Sequence, residues 1–264
     1  SIADYFHSGS SRFPLQFGSR IVYLPFDCDS PDSGWSECRY LLEQTGVRGV
    51  TVLRPPGCSW GPAVAGLADA NVAELQGPEW QVGLDARLDE ADSAVLVMPA
   101  PRVSRWVPLG LGNATFVRLL ESTAEPVLVA RGTIPYRRIL LSASEGPGSR
   151  RAAELALDLA RNFKAHLTAV VTLPPVIVTG EDYNRRLRQA LGQVSNLGPL
   201  YGVNVSAREL PGNPVRAVLH ECREHDLLVL SHRCRRRFSL TQPDVSRYLL
   251  LLAPCSVMVL PDAS

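Results

Sequence analysis

The chain has 264 residues, of which 45% are hydrophobic and 20% are charged, and its formal net charge is +1. This balance excludes a disordered chain and argues against electrostatic attraction to nucleic acid or to a membrane surface. No apolar run approaches the roughly 18 residues of a membrane-spanning helix, and six cysteines without a CxxC pair are too few for a disulfide scaffold. We therefore expect one or two cytoplasmic domains with reduced thiols.

Charge is unevenly divided between the two halves of the chain. Residues 1–132 contain 10 basic and 15 acidic residues, a net charge of −5. Residues 133–264 contain 17 basic and 11 acidic residues, a net charge of +6. Opposite net charges favour association of the two halves with each other.

Strands and helices alternate along the first half. Within Asp29–Gln44, helical spacing of Trp35, Cys38 and Leu42 indicates one buried helix face. Further helices are predicted over Asp85–Asp92 and over 113–124. The short apolar runs that predict strands are Val22–Phe26, Val50–Leu53, Trp80–Gly83, Ala94–Met98 and Val127–Ala130.

The second half repeats this alternation with clearer spacing. Ser149 is the predicted cap of a helix whose buried face carries Ala152, Leu155 and Leu159. Strands are predicted at Ile139–Leu141, His166–Val171, Val203–Leu210, Asp226–Leu230 and Ser256–Leu260.

Three more helices are predicted in the second half. One covers 182–196, and another begins where Asn213 precedes a proline, a pairing typical of helix starts. The last begins at Pro243-Asp244, with Leu249 and Leu252 facing inward.

The chain therefore reads as one unit repeated in tandem. We expect an N-terminal arm at 1–19, one domain at 20–132 and a second at 136–264, joined by a hinge around Gly132–Pro135. Alternating strands and helices predict a parallel, doubly wound α/β sheet in each copy. Ligands of such folds bind beyond the carboxyl ends of the strands, where the strand order reverses. The loops after the first and fourth strands of each half are therefore the candidate sites.

Several segments have the pattern of a known family. The second half contains GNPVRAVLHECREHDLLVLSHR and the ending APCSVMVL, which is close to the APCPVLVV typical of universal stress proteins. The first half contains DEADSAVLVMPA, and its VYLPFDCDS resembles the family's first strand ending in Asp-Gly-Ser. The chain thus resembles two tandem universal stress proteins. The resemblance implies a Rossmann-like, five-stranded sheet in each copy, with Val127–Ala130 paired against Val257–Leu260 as an internal pseudo-dimer.

Many members of this family bind ATP, and others do not. Those that bind it carry an Asp after the first strand and a G-x2-G-x9-G-[ST] loop after the fourth. Glycines let backbone amides approach phosphates, and a helix N-terminus adds unpaired N–H groups. The first half has Asp27 but lacks the early glycines, and it keeps only Gly110, Gly112 and Asn113 near the helix start. The resemblance thus implies at most a weakened site for ATP or another adenine nucleotide at these four residues, with no certain cofactor.

The second half departs further from the ATP-binding pattern. Ser144 stands where the family has Asp, and the loop Ser231–Arg237 contains no glycine. Pro243-Asp244 replace the closing Gly-Ser/Thr, and an Asp at a helix start repels phosphate. We therefore expect no ATP binding of the usual kind in this half.

Arginines are concentrated in the same loop, at Arg233, Arg235 and Arg236. One interpretation is a second anion site, in which guanidinium groups substitute for backbone amides. The other interpretation is a solvated loop that faces water or the acidic first half. The sequence leaves both open.

Several histidines and cysteines lie close together in the sequence near the end of the chain, but their spacing does not fit a metal site. His225 and His232 lie at opposite ends of a predicted strand, roughly 20 Å apart at the usual rise per residue. His220 and Cys222, two apart on a helix, point to different faces. We therefore expect no metal site.

The residues and the resemblance together predict a non-enzymatic sensor or regulatory module of the stress response. The sequence has no G-x4-G-K-[ST] phosphate loop. Expected partners are a nucleotide or another anion, and a protein partner or a second copy of the chain, without nucleic acid or direct membrane contact. Two alternatives stay open: a slow ATP hydrolase, and the cytoplasmic regulatory domain of a membrane transporter.

Overall fold

The computed structural model describes residues 20–25, 33–54, 71–74, 88, 93–100, 123, 125–175, 177, 180–232 and 245–261. The first half contains strands β1 (Arg20–Tyr23), β2 (Gly49–Arg54), β3 (Asn71–Glu74), β4 (Ser93–Pro99) and β5 (Val127–Ala130), with helix α1 (Ser33–Gln44). The second half contains strands β6 (Arg138–Ser142), β7 (His166–Leu173), β8 (Val205–Pro211), β9 (Leu227–His232) and β10 (Ser256–Pro261). Its helices are α2 (Pro147–Phe163), α3 (Glu181–Tyr201), α4 (Pro214–Glu221) and α5 (Val245–Leu252), and a short 3-10 helix (Cys222–Glu224) follows α4.

The ten described strands form one continuous sheet in the order β3-β2-β1-β4-β5-β10-β9-β6-β7-β8. Neighbouring strands are parallel within each half. At the centre β5 and β10 pair antiparallel, with Leu128 opposite Met258. The predicted doubly wound parallel sheets and the predicted pairing of their last strands are therefore confirmed.

The two halves share their hydrophobic cores across this central pairing, which we call the seam. Side chains of a strand alternate between the faces of a sheet. Leu128 and Met258 belong to the core on one face, and Val127 and Val257 belong to the core on the other. Each core also contains residues of both halves away from the seam, so neither half has a core of its own.

Helix α2 has the predicted buried face but a different start. Ala152, Leu155 and Leu159 are at most 3% exposed. The predicted cap, Ser149, lies inside the helix, and the N-cap is Gly146. Gly146 has a positive φ of 108, which glycine adopts without the steric cost of a Cβ.

The other helices of the second half also test the predictions. Asn213 caps α4 as predicted, because its side-chain oxygen accepts a hydrogen bond of 3.1 Å from the Arg216 amide. Helix α3 runs beyond the predicted 196 and ends at Tyr201, where Gly202 turns left-handed with φ 67.

The inward face of α5 differs from the prediction. Leu249 is buried as predicted, but Leu252 is 42% exposed, and Leu250 and Leu251 are buried instead. Four consecutive leucines give no periodicity that could fix the rotation of the helix. The packing of α5 against the sheet determines which of these leucines face inward.

Parts of the first half differ from the prediction or lie outside the described residues. The third strand lies at Asn71–Glu74, ahead of the predicted Trp80–Gly83. The segment Trp80–Gly83 lies outside the described residues, as does the arm at 1–19. So do Asp85–Asp92 apart from Leu88, the helix predicted over 113–124 apart from Thr123, and Pro243-Asp244. The domain boundaries stay predictions.

A buried carboxylate joins the two halves at the seam. Glu37 of α1 has no exposed surface. Its Oε1 accepts hydrogen bonds from the amides of Arg131 (3.0 Å) and Gly132 (2.6 Å) and from the Ser256 hydroxyl (2.6 Å). Its Oε2 accepts one from the phenol of Tyr136. Burial raises the pKa of Glu37, and these hydrogen bonds oppose part of that rise.

Aromatic packing supports the same junction. The ring of Tyr136 lies 5.3 Å from that of Tyr40 on α1 and 5.5 Å from that of Phe163 on α2. Burial, and then the neighbouring carboxylate of Glu37, raise the pKa of Tyr136 well above its ordinary value. The phenol therefore stays protonated and remains a donor to Glu37.

Arg131 links the seam to α5. Its guanidinium donates to the carbonyl of Cys255 at 3.4 Å and to the carbonyl of Leu250 in the last turn of α5. Carbonyls at a helix C-terminus lack partners within the helix, so a cation there is favourable. Burial lowers the pKa of Arg131.

Because the folded chain binds the Glu37 proton more tightly than the unfolded chain does, this group's contribution to the free energy of unfolding falls as pH rises. The fall begins near the ordinary pKa of 4.5 and ends above the raised pKa of the folded state. We expect the difference in unfolding free energy between the wild type and Glu37→Gln to be largest at pH 4 and to decrease toward neutral pH, by up to about 1.4 kcal/mol per pH unit. Urea unfolding at a series of pH values measures it.

The matched control is Glu43→Gln, on the same helix with its side chain 61% exposed. It should follow the wild-type pH dependence. A Glu37→Gln variant that keeps the wild-type slope would contradict the assignment.

The seam should also be sensitive to packing. Met258 is 2% exposed, so Met258→Ala removes buried surface shared by both halves and leaves a cavity. We expect a loss of about 3 kcal/mol of unfolding free energy, measured by urea unfolding. Ile177→Ala, at a fully exposed position, is the control and should change stability by less than about 0.5 kcal/mol. Equal effects of the two variants would argue against a shared core.

Candidate functional site

The strand order reverses at one place in each half, between β1 and β4 and between β6 and β9. Both strands of each pair are parallel, so their carboxyl ends meet at the same edge of the sheet. Just beyond β1, the Leu24 amide donates to the Val97 carbonyl at 2.9 Å. These are the two crevices in which a doubly wound sheet binds ligands.

Serine hydroxyls occupy the crevice of the second half. Ser144, which follows β6, has its hydroxyl oxygen 3.5 Å from that of Ser231 in β9. The Ser144 amide donates to the Ser149 hydroxyl at 2.8 Å, which ties the end of β6 to the first turns of α2. The neighbouring carboxylate, Glu145, pairs with Arg186 of α3. Neutral hydroxyls therefore lie where a bound ligand would meet the end of β6.

The end of β9 is fixed to the start of α5. His232 is 4% exposed, and its Nδ1 lies 2.6 Å from the hydroxyl oxygen of Ser246. This hydrogen bond gives the buried His232 a partner and holds the first turn of α5 against the strand. The metal-ligand pattern of the sequence does not explain His232, whereas its position at the end of an apolar strand indicates that it borders the crevice.

A cavity of about 370 Å³ opens beside the serines, between α2 and α3. Ser144, Gly146 and Ser149 line one end of it, and Val194 and Leu197 line its apolar part. Small-molecule sites typically begin at roughly 300 Å³. The cavity could therefore hold a small molecule with a polar end directed at the hydroxyls.

The residues that the sequence singled out for ligand binding are not among those that the structure describes. They are Asp27, Gly110, Gly112, Asn113, Arg233, Arg235 and Arg236. What the structure describes is the edge that they follow in the chain, at the ends of β1, β4 and β9. Their roles stay predictions.

Two of the histidines near the end of the chain, His225 and His232, have partners of their own. His225 Nδ1 lies 2.7 Å from the carbonyl oxygen of Glu221 at the end of α4. Within the described part of the chain, no group of three or more His, Cys, Asp or Glu side chains is arranged to hold a metal ion. None of the described helices combines the length and the apolar composition needed to cross a membrane.

The chain is similar in fold to solved structures that span both of its halves. A universal stress protein from Archaeoglobus fulgidus DSM 4304 matches 94% of this chain and 100% of its own, with 16% identity and a TM-score of 0.70. A putative universal stress protein from Pseudomonas aeruginosa UCBPP-PA14 matches 94% of each chain, with 15% identity and a TM-score of 0.67. At these identities the likeness concerns the fold, and it extends over both copies.

A shorter structure matches half of the chain. The universal stress protein from Archaeoglobus fulgidus in complex with dAMP covers 48% of this chain and 98% of its own, with 15% identity and a TM-score of 0.39. The nucleotide is a property of that protein. Comparison with curated protein sequences gives no significant match.

The sequence itself identifies the second half. Residues 135–261 match the universal stress protein family. They cover the whole of β6 to β10, so the match includes the complete five-stranded unit. Residues 135–261 therefore form a domain of the universal stress protein family, and the first half of the chain adds a second unit with the same strand order.

Proposed function

We propose that the chain is a non-enzymatic regulatory module of the universal stress type with one nucleotide site, in its first half. Asp27 would accept hydrogen bonds from the base or ribose of an adenine nucleotide, and Gly110, Gly112 and Asn113 would hold its phosphates at a helix start. The second half would serve mainly to complete the sheet. The observation that carries this proposal is the serine-lined crevice at Ser144.

The crevice of the second half has no carboxylate at the position of Ser144 to accept hydrogen bonds from a nucleotide. A carboxylate accepts hydrogen bonds about twice as strongly as a neutral group, and Ser144 offers a hydroxyl in its place. The Ser149 hydroxyl already accepts a hydrogen bond from the Ser144 amide, and Ser246 is engaged by His232. An anion bound in this half would meet the guanidinium forks of Arg233, Arg235 and Arg236, and Arg150 also lines the cavity.

The strand ends of the first half support a site built from both of these segments. The bond from Leu24 to Val97 keeps the end of β1 against β4. Ala100, just past β4, donates its amide to the Ala130 carbonyl at 2.9 Å, so the chain leaves β4 beside the end of β5. The segments carrying Asp27 and the glycines therefore start from neighbouring points on one edge.

Calorimetric titration with ATP, ADP, AMP and cyclic dinucleotides, each with Mg²⁺, tests the proposal. We expect the wild type to bind at least one adenine nucleotide, and Asp27→Ala to weaken that binding by about tenfold or more, because it removes hydrogen bonds to a charged acceptor. The matched control is Ser144→Ala at the equivalent position of the second half, which should bind as the wild type does.

Three other outcomes would each change the proposal in a different way. Binding that Ser144→Ala abolishes and Asp27→Ala leaves intact would move the site to the second half. No heat with any nucleotide would overturn the nucleotide site. Phosphate release from ATP that Asp27→Ala abolishes would replace the regulatory module with the slow ATP hydrolase.

A further inference from the structure

The cavity between α2 and α3 has an aliphatic wall and a polar end. Its aliphatic wall includes Ala190, Val194 and Leu197, which follow one another on α3 at the spacing of a single helix face. Its polar end includes Ser144, just after β6, and Ser149 in the first turn of α2. No aromatic side chain is among the described residues that line it. The cavity therefore suits an amphipathic molecule with an aliphatic body and a polar head.

The charge of the lining favours an anionic head. Among the described residues that line the cavity, Arg150 carries the only charge. Its Nε donates to Glu154 at 3.1 Å. That bond uses one of the five N–H groups of a guanidinium, so four remain as donors. The other polar side chains of α3 that line the cavity, Gln193 and Asn196, are neutral.

The first turn of α2 supplies further donors at the polar end. The N-cap, Gly146, has no side chain to bond the amides of this turn, and Pro147 has no N–H. The amides of Gly148 and Ser149 lie in the first turn, where N–H groups have no acceptor within the helix. Ser149 is 6% exposed, its oxygen accepts from the Ser144 amide, and no described residue accepts its proton. These donors lie at the positive end of the helix dipole, where a carboxylate is favoured.

An ion pair joins the two sides of the cavity near this end. Arg186, one turn before Ala190 on α3, pairs with Glu145, the residue after Ser144. The guanidinium of Arg186 also lies over the Tyr183 ring, 5.9 Å from its centre. Because Glu145 is paired, its charge is balanced by a neighbour and opposes a bound anion only weakly. The pair also helps to hold α3 in place before a ligand arrives, which lowers the cost of binding.

The volume of the cavity limits the size of its ligand. At about 370 Å³ it has room for roughly a dozen non-hydrogen atoms, if each takes about the 30 Å³ of a water molecule. A nucleoside triphosphate is far larger than this. A carboxylic acid with a chain of medium length fits.

We propose that the cavity binds a small monocarboxylic acid with an aliphatic tail. The carboxylate accepts hydrogen bonds from the Ser149 hydroxyl, from the first-turn amides of α2 and from Arg150. The tail packs against Val194 and Leu197. The second half then has a ligand of its own, and this site does not rest on the nucleotide site proposed for the first half.

Calorimetric titration of the full chain with octanoate tests the proposal. We expect saturable binding of a single octanoate per chain. Butyrate should bind at least about tenfold more weakly, because each buried methylene contributes roughly fourfold in affinity. Octanol has the same tail without the charge and should also bind at least about tenfold more weakly, because hydrogen bonds to an ionised acceptor are about twice as strong.

Two variants with matched controls locate the ligand. Ala190→Phe fills the aliphatic part of the cavity and should abolish octanoate binding, whereas Gln189→Phe, at the exposed position beside it, should bind as the wild type does. Arg150→Gln should weaken octanoate binding by about tenfold and leave octanol binding unchanged. Arg185→Gln removes an ion-paired arginine of similar exposure on α3 and should change neither.

Several results would overturn the proposal. They are the absence of saturable octanoate binding at millimolar concentration, equal affinities for octanoate and octanol, and octanoate binding that survives Ala190→Phe. Displacement of octanoate by ATP would assign the cavity to a nucleotide instead. The Arg150 side chain is 64% exposed, so Arg150→Gln carries the test if Ala190→Phe does not fold, and an unchanged octanoate affinity in it would overturn the carboxylate. Asp27→Ala should bind octanoate as the wild type does, which separates this site from the nucleotide site.

Discussion

The carboxylate of Glu37 accepts four hydrogen bonds at the point where the two halves of the sheet meet. Two come from the backbone of the linker, at Arg131 and Gly132, one from Ser256 of β10 and one from Tyr136. Placing a carboxylate in a protein interior costs several kcal/mol, and only converging donors offset that cost. Because these donors come from the linker, from Tyr136 and from β10, the carboxylate fixes α1, the linker and β10 relative to one another.

The antiparallel pairing of β5 with β10 has a second consequence. All four residues of β5 are buried. If β5 were an edge strand, it would expose apolar side chains and a row of unpaired backbone N–H and C=O groups. Such an edge favours pairing with other chains. Pairing inside one chain removes two such edges, and the cores on both faces then continue through the seam. The opposite net charges of the halves are therefore not needed to hold them together, because burial and backbone hydrogen bonds already do so.

Much of this arrangement could be predicted from the sequence, because apolar periodicity fixes strands and amphipathic helices. The pairing of Val127–Ala130 with the last strand and the Asn213 cap are examples. Glu37 was missed because helical spacing was applied only to apolar residues. It lies one turn before the buried Leu41, so it shares a face with that residue, and its burial depends on donors distant in the chain.

Other differences have equally local causes. The third strand, Asn71–Glu74, is a four-residue edge strand whose pattern is too short to stand out. Ser149 has the residue type of a cap, but the turn at Gly146 moves the start of α2 three residues upstream of the predicted position. At the candidate site, the sequence identified Ser144 as the departure from a carboxylate. Its bonds to Ser149 and Ser231 could not be predicted, since they depend on how two strands and a helix meet.

The direction of the strands at the seam decides which crevice lies near the Glu37 network. Since β5 and β10 are antiparallel, the carboxyl ends of the first half's strands lie at the same edge of the sheet as the amino ends of the second half's strands. Arg131 and Ser256 are therefore at the same end of the sheet as the edge after β4, where the Ala100 amide binds the Ala130 carbonyl at 2.9 Å. The serine-lined crevice is at the opposite end, because His232 pairs with Pro261, five residues or about 17 Å along β10 from Ser256. Glu37 and its hydrogen-bond donors therefore lie at the same end of the sheet as the first-half crevice, and the second-half crevice lies at the other end of the strands.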